Sequence, residues 1–264
     1  MMDKSLRRRR YYRRRARKPA AAAALKKYFL RLLLIFVLVC AVLGILRSDL
    51  FGLKEVTITG NELTPEAEIR EALQVQRGDN VLQLDLDALE ERVLAIPRIA
   101  QAEIRRVLPD GLQVEVAEYK TLVLVPYQDY FLEVGENGLI LGSTTDPQQS
   151  ALPLLTGLEP VTGKVGENIL DGRLLEQVRE LCSSLADAGV PVSEINASRE
   201  ENLVVVTMDG LSVWLGNKNF AEKAQVLLQI LGQLGGRRGE GYLDLRVPTA
   251  PAFHIIEAKN TKNN

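Results

Sequence analysis

Three regimes of hydrophobic patterning follow one another along this 264-residue chain. The first is continuous. From Leu32 to Leu46 the run LLLIFVLVCAVLGIL holds fifteen residues without a polar side chain, Cys40 counting as apolar. Extended from Leu30 to Leu50, it reaches the roughly 20 residues that a helix needs to cross a hydrocarbon core of about 30 Å. Arg31 and Arg47 then snorkel to the two interfaces. Tyr28 and Phe29 fall at the level where aromatic rings are favoured. The pattern predicts a transmembrane helix over residues 29–50. A cleaved signal peptide shares the basic start and apolar core but needs a small-x-small site just after it. ILRSDLFGLKE offers none, and Val39 before Cys40 does not suit a lipoprotein signal. An uncleaved single-pass anchor fits better.

The second regime alternates between periods of 2 and 3.6. In KEVTIT, Val56 and Ile58 face one way and Glu55, Thr57 and Thr59 the other, a half-buried strand that Gly60-Asn61 ends. Thr64-Pro65 predicts a helix start, with Thr64 as N-cap and Pro65 at the first helical position. Glu66 and Glu68 suit its first turn, and Ile69, Ala72 and Leu73 form its stripe. A second helix begins at Asp85, with Leu86, Leu89, Val93 and Ile96 on one face and Pro97 as its stop. RIAQAEIRRV and LQVEVAEY then alternate around the turn Pro109-Asp110-Gly111. The order strand, helix, helix, strand, strand puts two helices on one face of a three-stranded sheet.

The third regime is richer in strands. Tyr130–Val134 and Leu139–Leu141 flank GENG, a hairpin signal. Residues 142–172, rich in Gly, Pro, Thr and Ser, read as loop or edge. Leu174, Val178, Leu181 and Leu185 mark a helix ending at Gly189-Val190-Pro191. Leu203–Met208 and Leu211–Leu215 form a hairpin around Asp209-Gly210. Phe220–Leu234 is an apolar helix, and GGRRGEG breaks the chain. YLDLRV, Tyr242–Val247, is a last alternating strand with Leu243, Leu245 and Val247 inward, after which Ala252–Ile256 pairs or trails. The expected fold class is α+β. The expected boundaries are a basic tail 1–28, a transmembrane helix 29–50, a first domain 51–120, a second 121–256 and a disordered tail 257–264.

Charge sets the orientation. The formal net charge is only −1, yet residues 1–31 hold thirteen Lys/Arg and one acid, while the remainder holds twenty basic and thirty-three acidic groups. Such a split implies two environments. The basic flank stays cytoplasmic, so the chain from about residue 48 onward lies outside the cytoplasm. The tail RRRRYYRRRARK also suits anionic lipid headgroups, at about 1 kcal/mol per basic group near the surface. A membrane-tethered nucleic-acid arm is the competing reading and would give steeply salt-dependent affinity. The tail has no fold motif and topology already accounts for its charge, so no nucleic-acid partner is expected.

Catalytic patterns are absent from the sequence. No Ser is followed by Lys at plus three, Gly142-Ser143 lacks the glycines of a nucleophile elbow, and one histidine, His254, excludes H-E-x-x-H. Gly163-Lys164 and GGRRGEG lack phosphate-loop and dinucleotide spacing. Asp85, Asp87, Glu90 and Glu91 read as a solvated helix face. Cys40 and Cys182 fall in different segments and are not expected to pair, Cys182 reading as a core residue. Trp214 alternates away from Val213 and Leu215, which favours a second packed layer over an exposed contact. No enzyme activity, cofactor, metal or small-molecule substrate is expected.

The layout resembles the FtsQ/DivIB family of bacterial division proteins. The resemblance rests on three passages. They are V-x-I-x-G-N (Val56, Ile58, Gly60, Asn61), I-P-x-I-x-x-A-x-I-x-R (Ile96, Pro97, Ile99, Ala102, Ile104, Arg106) and P-D-x-L-x-V-x-V-x-E (Pro109, Asp110, Leu112, Val114, Val116, Glu118). The closing YLDLRV resembles that family's late β-domain strand. The resemblance implies a POTRA domain (β-α-α-β-β) followed by a mixed α/β "β-domain" with a mostly antiparallel sheet. It implies a non-enzymatic scaffold at the division septum, binding FtsB/DivIC-like and FtsL-like single-pass proteins. The FtsB-like partner would add a strand to the last sheet edge, where backbone groups supply affinity and alternate side chains specificity. The partner-binding positions it implies are Tyr242, Asp244, Arg246, Val247, Phe253 and Ile255. Val247 stands where an aromatic ring is expected in some relatives. A POTRA-containing transport or assembly component that binds extended polypeptides is the alternative.

Overall fold

The computed structural model describes residues 20–255 except 159, 161, 171 and 235–240. The tail 1–19 with Tyr11 and Tyr12, most of GGRRGEG, and residues 256–264 lie outside the described residues. The chain forms two compact units, one of residues 1–57, 75–86 and 105–113, the other of 58–74, 87–104 and 114–264.

In the first unit, α1 (Ala20–Leu46) is followed by a short 3-10 turn, Asp49–Phe51. Large apolar side chains from Leu25 to Leu46 are exposed all round α1. A helix apolar on every side with no protein packed on it has the form of a membrane span, and the apolar stretch Leu25–Phe51 is long enough to cross one. The segment after it is pinned to the loop 78–81. The Asn80 side chain donates to Leu46 O at 2.8 Å, Val81 N–H to Phe51 O at 2.8 Å and Leu53 N–H to Asp79 O at 2.8 Å. Leu53, Val81 and Leu112 are buried here. Arg106 reaches the same loop, donating to Val81 O at 2.8 Å and Leu84 O at 2.6 Å.

A three-stranded sheet has residues in both units. Its strands are β1 (Glu55–Thr59), β2 (Ile99–Val107) and β3 (Gly111–Glu118), in the order β1-β3-β2. Helices α2 (Glu66–Leu73) and α3 (Leu86–Leu94) complete the expected β-α-α-β-β order. Lys54 N–H donates to Asp110 O just before β1, and Gly60, just after it, abuts the Val116 carbonyl. The equal offset means that β1 and β3 run the same way. In the second unit, Ile69 and Leu73 of α2, Leu89 and Val93 of α3, and Ile58, Ile104, Val114 and Val116 of the strands are buried, as their periods required; Ile99, out of phase with Ile104 at the start of β2, is buried as well.

The start of α2 differs from expectation. The cap position falls on Pro65 and the helix begins at Glu66, while Thr64 is buried. The physical reason is Glu118. Its carboxylate accepts from the backbone N–H groups of Glu62, Leu63 and Thr64 at 2.8–3.2 Å and so organises the turn ahead of the helix. Burial alone would favour the neutral acid at Glu118. The N–H groups of Thr64, Leu63 and Glu62 outweigh it and hold the carboxyl below its usual range. Glu90 also departs from a solvated face, accepting Ile104 N–H at 2.8 Å.

The larger sheet has nine strands: β4 (Thr121–Tyr127), β5 (Tyr130–Gly135), β6 (Ile140–Thr144), β7 (Leu154–Thr156), β8 (Val192–Asn196), β9 (Leu203–Thr207), β10 (Ser212–Gly216), β11 (Gly241–Asp244) and β12 (Ala252–Ile255). Their order is β12-β11-β10-β9-β8-β7-β4-β5-β6. Most neighbours are antiparallel; β4–β7, β7–β8 and β10–β11 are parallel. Helices α4 (Gly172–Asp187) and α5 (Phe220–Leu234) bury Leu174, Val178, Leu181, Leu185, Phe220, Ala224, Leu227 and Leu231 with the inward residues of the sheet. Each fully buried Leu or Phe contributes about 1.5–3 kcal/mol relative to exposure.

Three strands, β4, β7 and β8, escaped the sequence pattern. The loop or edge expected over 142–172 contains β7, which lies in the interior of the sheet. Three residues cannot display a period of 2, so local pattern could not find it. β8, following Pro191, was likewise hidden, because only Val192 and Ile195 of its five residues are buried. The core position of Cys182 fits its environment, where burial pushes the thiol up to about 12.

Candidate functional site

The expected partner-binding residues gather at one end of the nine-stranded sheet. YLDLRV is not the last strand. β11 ends at Asp244 and lies between β10 and β12, with Tyr242 opposite His254 and Leu243 opposite Phe253. The edge itself is β12. Among the described residues, no strand pairs with its outer side. Gly241 makes this pairing possible, since a Cβ there would overlap the His254 carbonyl.

Leu243 and Leu245 are buried as the alternation required, but Val247 is 56% exposed and does not face in. The cause is local. The Asp244 carboxylate accepts from Arg246 N–H at 3.1 Å, a side-chain turn that competes with the strand ladder. Leu245 N–H still donates to Trp214 O at 2.9 Å, and beyond it the chain bends outward toward Pro248.

The same carboxylate accepts from the Arg246 guanidinium, from Nε at 3.0 and 3.1 Å and from Nη2 at 2.6 Å. The Arg246 guanidinium holds the Asp244 carboxyl below its usual range, and Asp244 in turn raises Arg246. The guanidinium carbon also stands 5.3 Å from the Trp214 ring centroid. Trp214 stacks on Tyr242 at 4.7 Å and 20°, and Tyr242 on His254 at 4.7 Å and 15°. Three rings from β10, β11 and β12 thus form one half-exposed ladder capped by a fixed cation. Trp214 is therefore neither covered by a second layer nor free. It is a stacked contact, a state between the two that alternation offered.

Of the six expected residues, Tyr242, Asp244 and Arg246 belong to this ladder or its ion pair. Phe253 is partly buried against the core, and Ile255, 56% exposed, stands near the end of β12. Sequence reasoning missed His254 and Lys223. His254 sits one residue from two expected positions and could have been found from its register against Tyr242. Lys223 is 2% exposed, and its Nζ donates to Leu215 O at 2.5 Å and Lys218 O at 2.7 Å, pinning the turn after β10. Burial, then the nearby Lys218 charge, push its ammonium below its usual value. Its signal was present: a lysine on the buried stripe Phe220, Ala224, Leu227, Leu231 of α5.

Among the described residues, one apolar helix long enough to cross a membrane, a β-α-α-β-β module and a mixed sheet fit a single-pass membrane protein of the POTRA class. Comparison with known proteins agrees. A family model described as "POTRA domain, FtsQ-type" matches residues 51–119, and one described as "Cell division protein FtsQ/DivIB, C-terminal" matches residues 123–246. Cell division protein FtsQ of an Anaeromyxobacter species is 30% identical over 200 residues, covering 74% of this chain and 67% of that protein. Cell division protein DivIB of Bacillus subtilis is 23% identical over 218 residues, covering 82% and 80%. A solved structure of the major extracytoplasmic domain of DivIB from Geobacillus stearothermophilus aligns at 22% identity with a TM-score of 0.31, covering 45% of this chain and 95% of that one. The chain belongs to the FtsQ/DivIB family of cell division proteins.

Proposed function

We propose that this protein is a non-enzymatic scaffold of the division septum. Its N-terminus is cytoplasmic and its domains at 51–120 and 121–256 are extracytoplasmic. FtsB/DivIC-like and FtsL-like single-pass proteins are its partners. The carrying observation is that, among the described residues, the outer edge of β12 has no strand on it, beside the Trp214–Tyr242–His254 ladder and the Asp244–Arg246 pair. Unpaired backbone groups on β12 accept an added strand in any sequence. The ladder and the ion pair then select the partner, since aromatic rings and arginine are the usual anchors of interfaces. Arg246 is held in place before binding, which lowers the ordering cost. Family membership favours this role over a transport component that binds extended chains.

The test is co-purification with an FtsB/FtsL-type pair. Arg246→Glu places two acids side by side, and capture of the pair is expected to fall about tenfold, equivalent to about 1.4 kcal/mol, with the urea midpoint little changed. Val247→Glu is expected to act in the same direction and more weakly. Unchanged capture by both variants removes this end of the sheet from the interface.

A further inference from the structure

The first unit leaves one apolar feature unexplained. Outside α1, its large exposed apolar side chains among the described residues are Leu50, Val107 and Leu108, at 54%, 49% and 60% exposure. Val107 and Leu108 form the tip of the β2–β3 hairpin, and Leu50 lies in the turn that leaves α1. Because β1 and β3 run the same way, that tip lies at the end of the sheet where β1 begins, the end fed by α1. The connection is continuous. Leu46 O is bound by Asn80, Phe51 O by Val81, and Val81 O by Arg106, the residue before Val107.

We propose that the Val107–Leu108 tip and Leu50 form a second membrane contact, dipping into the phospholipid headgroup and upper acyl region beside the exit of α1. The proposal rests on α1 spanning the bilayer. Helix α1, Ala20–Leu46, has 27 residues, about 40 Å at 1.5 Å per residue. The hydrocarbon core is about 30 Å thick and the bilayer with headgroups about 40–45 Å, so the residues around Leu50 lie at headgroup level. A tip tied to that level by three consecutive hydrogen bonds meets lipid before it meets bulk water. The contact is apolar in kind. Lys54 is paired with Asp110 at 2.8 Å, and Arg106 is occupied by the Val81 and Leu84 carbonyls. No particular anionic headgroup is therefore required. The contact fixes the tilt of the sheet on its anchor, which one helix and a turn would otherwise leave free.

The test uses the full chain in phosphatidylcholine nanodiscs holding one copy each. Trp214→Phe removes the single native tryptophan, and Leu108→Trp supplies a reporter at an exposed site. Blue-shifted emission, quenched by bromines on the upper acyl carbons, is the expected result, at a depth of about 5–10 Å. A second reporter, Leu50→Trp, is expected to lose part of that quenching when Val107→Asp and Leu108→Asp are added. Emission from the Leu108→Trp reporter that ignores brominated lipid and stays open to aqueous iodide overturns the proposal. Protection from iodide without bromine quenching also overturns it, because protein then covers the tip. Partner capture is read separately in a chain that keeps Trp214 and carries Val107→Asp and Leu108→Asp, where it is expected to be unchanged, so this test and that of the β12 edge fail separately.

Discussion

The nine-stranded sheet ends in two edges that the chain treats in opposite ways. At β6 the start of the edge, around Ile140, is covered from within. Ile140 N–H donates to Glu167 O at 2.9 Å, Gly166 N–H to Ile140 O at 2.8 Å, and Ile169 N–H to Gly138 O at 3.1 Å. Arg98 completes the closure, donating to Leu141 O at 3.2 Å and pairing with Glu133 at 2.5 Å. At β12 nothing comparable lies on the outer side among the described residues, and Ala252, His254 and Ile255 are exposed. An open edge invites uncontrolled pairing, which proteins limit by making the edge short or by adding proline. β12 has four residues and follows Pro251. The difference is that one edge is paired by its own chain, whereas the other is short, follows a proline and has no strand on its outer side among the described residues.

The largest expected effect is on the closed edge. Arg98 is 9% exposed, so removing it strands Glu133 in a part-buried site. Arg98→Leu is expected to cost about 3 kcal/mol, read as a lower urea midpoint. A midpoint unchanged within error would mean that the pair does not hold this edge.

A matched pair of glycine substitutions sharpens the contrast. Gly138, at φ +80°, sits against the Leu170 carbonyl, and Gly241 sits against the His254 carbonyl. Gly138→Ala is expected to destabilise by about 2 kcal/mol and leave partner capture intact. Gly241→Ala is expected to displace β12, reducing capture at least about tenfold with the smaller loss of stability. If both variants behave alike in both measurements, the two edges do not have different tasks.

The smallest effect is a pH dependence outside both edges. The folded-state carboxyl of Glu118 lies below its unfolded value. Its contribution is therefore fully present above that value and is lost as pH falls through the folded value. Glu118→Gln is expected to cost about 1 kcal/mol at neutral pH, discounted for partial exposure, and to flatten the acid limb of the stability curve. An acid limb identical to that of the parent chain would remove Glu118 from the turn's energetics.

Much of the fold was legible because its signals are local and repeated. The period of 3.6 in α4 and α5 and the alternation of β3, β9 and β10 each bury one face, and a face needs several residues to declare itself. β7 and β8 are short and sit inside the sheet, where pairing on both sides compensates for weak local pattern. The helix start at Thr64-Pro65 was displaced by a carboxylate 54 residues away, a competitor that no local rule contains. At the candidate site the residue types were readable but their arrangement was not. Alternation alone places Val247 inward, but it stops at Asp244, whose side chain ends the strand.

By itself the sequence determined the span-length helix, its charged flank, the β-α-α-β-β order and the residues available near the C-terminus. These follow from composition and period, which are properties of contiguous chain. Only the tertiary structure decided which strand forms the edge, that Trp214, Tyr242 and His254 stack, and that Arg246 is fixed between a ring and a carboxylate. Each of these depends on the register of β10, β11 and β12, and register is set by pairing across the sheet.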